Sequence, residues 1–220
     1  VRTADDVRAA KQEIAQRGGF IPIIAKIETH AALAAFDDIL TEADGIMVAR
    51  GDLAIETPFS HVPTIQKQLI HRANQQAKPV ITATQMLWSM VRNPRPTRAE
   101  VADVANAVID GSDAVMLSEE TAIGEHPIGA VRTMETIAAD TERAWLRLSS
   151  PDTQDSDDGT HSTGIEAIGR AACHMATHLG IDALVTVTLS GFTARNVVKY
   201  RPLQPIIAAT PKLETYRQLA

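Results

Sequence analysis

The sequence predicts an α/β protein with parallel strands, on three observations. Short apolar runs alternate with longer helix-like stretches, the pattern of consecutive βα units. Each run closes on polar residues, as strands do when chemistry gathers at their carboxyl ends. A Ser, Asp, Thr, Pro and Gly-rich stretch then separates these units from a second α/β region. Four βα units in a row fit half of an eight-stranded barrel or an open doubly wound sheet. Neither requires a glycine-rich dinucleotide loop, and the sequence has none.

In order along the chain, the strand-like runs are Ile23 to Glu28, Gly45 to Asp52, Pro79 to Gln85 and Ala114 to Glu120. Before the third run, Ile65, Leu69, Ile70 and Ala73 recur at helical spacing, with Gln, Lys, His and Arg on the other face. After it, Thr97-Arg98-Ala99-Glu100 reads as a capping box. Pro94 and Pro96 discourage an earlier helix start. Val101, Val104, Ala105, Val108 and Ile109 continue that helix, and Gly111 suits the position just past its end. The composition shift over 149–163 marks a linker, so the expected domains are 1–148, a linker over 149–163, and 164–220. The second region should run as a helix (Gly164 to Leu179), a strand (Ala183 to Leu189), a helix from Phe192 to Tyr200, a strand (Pro205 to Ala209) and a last helix. These elements cannot close a full domain. The chain also starts at Val1 inside one helical pattern and stops at Ala220 inside another, so it reads as a piece of a longer protein.

Composition narrows the function classes. The 220 residues are 45% hydrophobic and 22% charged, ordinary for a soluble globular chain. A net charge of −6 argues against general nucleic-acid binding, whose footprint is basic. No apolar run has the length of a membrane span, which excludes a membrane protein of the helical kind. Cys173 is the only cysteine, so no intrachain disulfide forms and a reducing, cytoplasmic location is expected.

Lys26 and Glu28 sit two apart at the end of the first run, so both face the same side of a strand. Such a pair is structural or catalytic. The second run ends Arg50-Gly51-Asp52, placing Arg50 and Asp52 on one face, with Gly51 permitting close approach of a ligand to the backbone. Glu28 and Asp52 together offer two hard oxygen ligands, a set that suits Mg²⁺ with waters and substrate oxygens completing its shell. Lys26 beside that ion would neutralise phosphoryl or enolate charge. Thr82 or Thr84 from the third run, and Ser118 with Glu120 from the fourth, would face the same mouth. Glu120 would orient other site residues or simply begin the next helix, where an acid suits the dipole.

Other features carry bland readings. His174 and His178 have the spacing of zinc ligands on a helix beside Cys173, but no third ligand has suitable spacing nearby. Trp88, Trp145 and the scattered Phe and Tyr read as packing.

The stretches Ile24-Ala25-Lys26-Ile27-Glu28 and Asp44-Gly45-Ile46-Met47-Val48-Ala49-Arg50-Gly51-Asp52-Leu53 resemble strand-end signatures of pyruvate kinases. Ala83-Thr84-Gln85-Met86-Leu87, Pro94-Arg95-Pro96-Thr97-Arg98-Ala99-Glu100, Asp103 to Val108 and Met116-Leu117-Ser118 match in order and spacing. Thr188-Leu189-Ser190-Gly191-Phe192-Thr193 is a weaker marker of that family's C-terminal domain. The resemblance implies half of a TIM (β/α)₈ barrel, strands five to eight, followed by a truncated three-layer α/β C-terminal domain.

It further implies phosphoryl transfer from phosphoenolpyruvate to ADP, giving pyruvate and ATP in glycolysis. Lys26 would stabilise charge on the transferring group and the enolate, and Glu28 and Asp52 would hold the catalytic Mg²⁺, with Mn²⁺ as an alternative ion. Backbone amides around Arg50, Gly51 and Asp52 would cradle the substrate carboxylate, Thr84 would stand near the face of the enolate that is protonated, and Ser118 would line the mouth. Thr188, Ser190, Gly191 and Thr193 would form an effector phosphate loop. K⁺ dependence and a homotetramer are expected of the full-length parent. Ala54, Trp88 and Glu119 depart from the family pattern, which has Gly, Glu and often Gly there. Two competing expectations stand beside this one: a Mg²⁺-dependent barrel lyase or aldolase acting on pyruvate enolate, and a non-catalytic fragment or interaction module. The 220-residue chain alone is expected to have negligible kinase activity.

Overall fold

Each apolar run becomes a strand, and each strand stops short of the polar residues that follow it. The computed structural model describes residues 1–19, 21–148 and 164–219, which fall into two units, Val1–Trp145 and Leu146–Ala220. The linker expected over 149–163 lies outside the described residues.

In the first unit β1 (Ile24–Ile27), β2 (Gly45–Ala49), β3 (Val80–Ala83) and β4 (Ala114–Met116) form one parallel sheet in that order. Helix α1 (Ala4–Gln16) precedes it. Helices α2 (His30–Ala34) and α3 (Phe36–Glu42) follow β1, and α4 (Arg50–Glu56) with α5 (Val62–Gln75) follow β2. Helix α6 (Arg98–Ile109) follows β3, and α7 (Glu119–Ala122) with α8 (Pro127–Leu148) follow β4. Sequential parallel strands with intervening helices are the order a partial (β/α) barrel requires.

Register assigns each strand residue to a face. Ala25 pairs with Ile46, Ile27 with Val48 and Ile46 with Val80, and these buried side chains pack against Val7 of α1, Phe36, Ile39 and Leu40 of α3, and Leu69, Ile70 and Ala73 of α5. Each large aliphatic side chain buried this way stabilises the fold by roughly 1.5–3 kcal/mol. A second cluster joins Met86, Leu87 and Met90 to Val104 and Ala107 of α6 and Ala130, Met134 and Ile137 of α8. The opposite face of the sheet carries Ile24, Lys26, Met47, Ile81 and Ala114, which are exposed or half-buried, and Ala49 and Ala83, which are buried. Gly45 is required on that face, because a Cβ there would meet the Ile24 side chain at 2.7 Å and the Pro79 carbonyl at 2.9 Å.

The amino ends of the strands are stapled by one device used twice. Asp44, just before β2, accepts from the Ile23 amide at 2.8 Å while its own amide donates to the Ile23 carbonyl at 2.9 Å. Asp113, just before β4, does the same to Val80, at 2.8 and 2.9 Å. Nearby, Lys78 donates to the carbonyls of Leu40 and Thr41, and Lys11 to that of Glu42, capping the exposed carbonyl end of α3. Burial pushes the Lys78 ammonium below its ordinary value.

The capping box forms as expected. The Glu100 amide donates to the Thr97 hydroxyl at 3.3 Å and the Glu100 carboxylate accepts from the Thr97 amide at 2.7 Å. Val101 departs from the expected stripe: it is exposed, and α6 buries Val104 and Ala107 instead. Trp88 and Trp145 also depart from the packing role, being 47% and 41% exposed.

In the second unit α9 (Gly164–Leu179) packs on α10 (Phe192–Val198), and β5 (Leu184–Val187) pairs in parallel with β6 (Ile206–Ala209), followed by α11 (Leu213–Leu219). The face of α9 turned to α10 is small: Gly169, Cys173 and Ala176 are its buried residues. A Cβ on Gly169 would lie 3.2 Å from the Asn196 carbonyl oxygen, so the helices cross closely there. His174 and His178 stack at 4.1 Å between ring centroids. Among the described residues no group of three His, Cys, Asp or Glu could hold a metal ion. No helix among them is long and apolar enough to cross a membrane.

Candidate active site

Lys26 is the hub of the carboxyl end of the sheet. Its ammonium lies 2.5 Å from the Glu28 carboxylate and 2.9 Å from that of Asp52. Both bonds, Glu28 first and Asp52 second, raise the Lys26 pKa above its ordinary value. The three side chains are partly exposed and line an open cleft of about 250 Å³ together with Thr29, Ile55 and Glu56.

Asp52 arrives by a route the sequence reading did not anticipate. β2 ends at Ala49, and Arg50, Gly51 and Asp52 form the first turn of α4 rather than the end of a strand. Helical spacing turns residues two apart to nearly opposite sides, so Arg50 and Asp52 do not share a face. Asp52 points to Lys26, whereas Arg50 points inward and is buried. The same turn brings Glu56, four residues on, to the cleft beside Asp52. A helical reading of Arg50–Glu56 would have found it.

The Arg50 guanidinium is a clamp. One nitrogen donates to the Asp103 carboxylate at 2.7 Å and the Gln66 amide oxygen at 3.4 Å. The other donates to the carbonyls of Thr84 at 2.8 Å and Gln85 at 3.4 Å. Gln66 in turn donates to Asp110 at 3.0 Å. Sequence reasoning missed Gln66 and Asp103; their one signal is a polar residue set into the inward stripes of α5 and α6.

β3 ends at Ala83, so Thr84 is not a strand residue either. Thr84 and Gln85 are consecutive left-handed residues, with φ of 72° and 54°. For a β-branched threonine this conformation is a genuine outlier, costing on the order of 1–2 kcal/mol. The Arg50 donors to both carbonyls hold it. The Thr84 hydroxyl accepts from the Gly51 amide at 2.7 Å, which leaves its own proton available. A Cβ on Gly51 would meet that hydroxyl at 3.4 Å, an ordinary contact. Thr82, the alternative candidate, is fully buried and hydrogen-bonded to Ser112 at 2.7 Å, away from the mouth.

β4 ends at Met116, and Ser118 is the residue from which α7 starts. Ser118 and Glu120 therefore do not share a strand face. Glu120 is turned inward, 1% exposed, and accepts from the amides of Leu87 at 3.0 Å and Ser118 at 2.8 Å. Ala54, Trp88 and Glu119, the three departures from the family pattern, are all exposed.

In the second unit Thr188, Ser190, Gly191 and Thr193 lie in or beside one turn between β5 and α10. Thr188 is buried, the Ser190 carbonyl accepts from Arg195 at 2.9 Å, and Gly191 has a φ of 80°. Thr215 donates to the Leu189 carbonyl at 2.8 Å, closing the turn from α11.

The family model described as the pyruvate kinase barrel domain matches residues 1–131, and that of the pyruvate kinase alpha/beta domain matches residues 166–220. A pyruvate kinase of Geobacillus stearothermophilus is 51% identical over the whole of this chain, which covers 37% of that protein. One from Thermotoga maritima is 45% identical over the whole chain, which covers 46% of it. The crystal structure of a pyruvate kinase from Cryptosporidium parvum superposes with a TM-score of 0.85 at 42% identity, covering all of this chain and 46% of that one. The chain thus spans less than half the length of these relatives. Its two matched regions, covering most of its residues, make it a member of the pyruvate kinase family.

Proposed function

We propose that the protein carrying this chain transfers the phosphoryl group of phosphoenolpyruvate to ADP, giving pyruvate and ATP. The observation that carries the proposal is Lys26 held within 3 Å of both Glu28 and Asp52 at the carboxyl end of a parallel sheet. Glu28 and Asp52 are the residues that would hold Mg²⁺ or Mn²⁺: two hard oxygen donors meet at one nitrogen, so one ion-sized centre can reach both. When bound, that ion would supply positive charge to the phosphoryl oxygens.

The chain's own groups account for the rest. The bond between the enol oxygen and phosphorus breaks as a bond from an ADP phosphate oxygen to phosphorus forms, and an enolate is left. Lys26 supplies fixed positive charge to the transferring group and to that enolate. The Gly51 amide fixes the Thr84 oxygen, so the Thr84 hydroxyl would stand near the face of the enolate that takes up a proton from solvent. The Gly51 amide is thereby taken by Thr84 rather than by the substrate carboxylate, and the other amides at the start of α4, which lack partners inside the helix, would serve that carboxylate. Ser118 lines the mouth. K⁺ as a second cation, a homotetrameric assembly and a cytoplasmic place in glycolysis belong to the same reading, as does an effector phosphate at the turn of Thr188, Ser190, Gly191 and Thr193.

ATP formation from phosphoenolpyruvate and ADP by the full encoded protein tests it. Aldol cleavage without ATP formation would reject it in favour of a barrel lyase or aldolase, which the match of both family domains does not favour. The 220-residue chain by itself should show negligible turnover.

A further inference from the structure

We propose that Glu120 is a positioning residue for the reaction, tying the loop after β3 to the loop after β4 so that Thr84 and Ser118 keep a fixed relation. The inference rests on the phosphoryl-transfer reading above. Glu120 is a buried carboxylate, and its hydrogen-bond partners among the described residues are backbone amides. Its charge is met by these two amides, Leu87 on one oxygen and Ser118 on the other. Charge-assisted bonds to amides are roughly twice as strong as neutral ones, and losing the bond from Leu87 leaves a buried donor without a partner.

The two amides belong to the loops that hold Thr84 and Ser118, three residues apart in one case and identical in the other. Arg50 holds the opposite end of the Thr84–Leu87 segment by its carbonyls. The segment is therefore gripped from both sides, a cation on its carbonyls and an anion on its last amide. That double grip keeps a left-handed threonine in place without a glycine. Glu120 touches neither Lys26, Glu28 nor Asp52, so its contribution runs through placement of the Thr84 hydroxyl and Ser118.

The test is Glu120→Gln in the full encoded protein, which keeps the shape but sets an NH₂ group against one of the two amides. A shift of a reacting group by a fraction of an ångström predicts a fall in kcat of about tenfold or more, with KM for phosphoenolpyruvate within about threefold. Exchange of the pyruvate methyl hydrogens with heavy water should fall by the same factor, because it reports proton transfer at the enolate carbon. Amide hydrogen exchange should quicken at Leu87 and Ser118 and stay unchanged at Ala25 and Val48. Mn²⁺ binding should be unaltered. A folded variant with kcat and methyl exchange within about twofold of wild type overturns the inference. If the glutamine variant does not fold, Glu120→Asp decides on the same readouts, since its shorter carboxylate cannot reach both loops. A wild-type protein that makes no ATP brings down the functional reading and this inference with it; an active wild type with an unaffected variant brings down this inference alone.

Discussion

The Gly51 amide donates to the Thr84 hydroxyl across 2.7 Å, so the helix start after β2 and the left-handed turn after β3 are one unit. Asp52 lies next to Gly51 and bonds Lys26, so two consecutive residues of α4 hold the Thr84 hydroxyl and the charge-handling lysine.

Lys26→Met should reduce ATP formation by about three orders of magnitude or more, since the fixed charge acts where charge develops. Its removal also frees Glu28 and Asp52 from their present partner. Mn²⁺ should therefore bind the variant at least as tightly as wild type. Glu28→Gln and Asp52→Asn should each weaken that binding. Calorimetric titration with Mn²⁺ separates the two roles, and weaker binding by Lys26→Met would contradict the assignment.

Arg50→Lys should destabilise the first unit by about 2–3 kcal/mol, because one ammonium nitrogen cannot stand at both positions that the two guanidinium nitrogens occupy against Asp103 and the Thr84 carbonyl. Arg50→Met should cost more, about 3–5 kcal/mol, by leaving Asp103 and two carbonyls unmatched. Urea unfolding of both variants gives the comparison. Equal stability would show that the left-handed turn holds itself.

Glu100 gives an acid-side prediction. Burial pushes its carboxyl upward, but hydrogen bonds from the Ser89 hydroxyl and amide and from Thr97 outweigh that and leave it below its ordinary value of 4.5. A lowered folded-state pKa adds stability that is present above 4.5 and lost as pH falls through the lower value. Glu100→Gln should flatten the acid limb of the stability curve in that window. Thr97→Ala should cost about 1 kcal/mol at neutral pH through the lost cap. Thermal melts at a series of pH values check both.

Burial pushes the Cys173 thiol up to about 11. The neutral thiol should ignore a disulfide reagent at pH 8 and react only on unfolding, so labelling in rising urea reports opening of the second unit. The sign for stability follows: the contribution is full below 9.0 and is lost as pH rises toward 11. Prompt labelling of the folded protein would contradict the packing of α9 on α10.

Element order, the cap at Thr97 and the Lys26–Glu28 pair were legible because each rests on local pattern: alternation, a capping tetrapeptide, a two-residue repeat. The ends of β2, β3 and β4 were not. Nothing local distinguishes a strand that runs on through Arg50-Gly51-Asp52 from one that turns straight into a helix. The neighbouring strand decides, since pairing stops where its partner stops. Arg50 is the clearest instance. As a strand-end residue it would face ligand; on the first turn of α4 it faces Gln66 and Asp103, whose sequence distance hides the contact. Thr82 and Thr84 stood open by residue type alone, and the left-handed backbone of Thr84 has no local sequence signal, being held by Arg50 and Gly51.

Asp44 and Asp113 bear on how this protein can change over time. Each fixes the start of a strand pair through a side chain and its own amide, so alignment of the sheet is set before a strand reaches its functional end. Substitutions at Arg50, Thr84 or Ser118 can then alter chemistry or local stability without sliding one strand past another. Loss of either aspartate would instead disturb every residue downstream on its pair. Freedom to vary is thus unequally divided: wide where the strands finish, narrow where they begin.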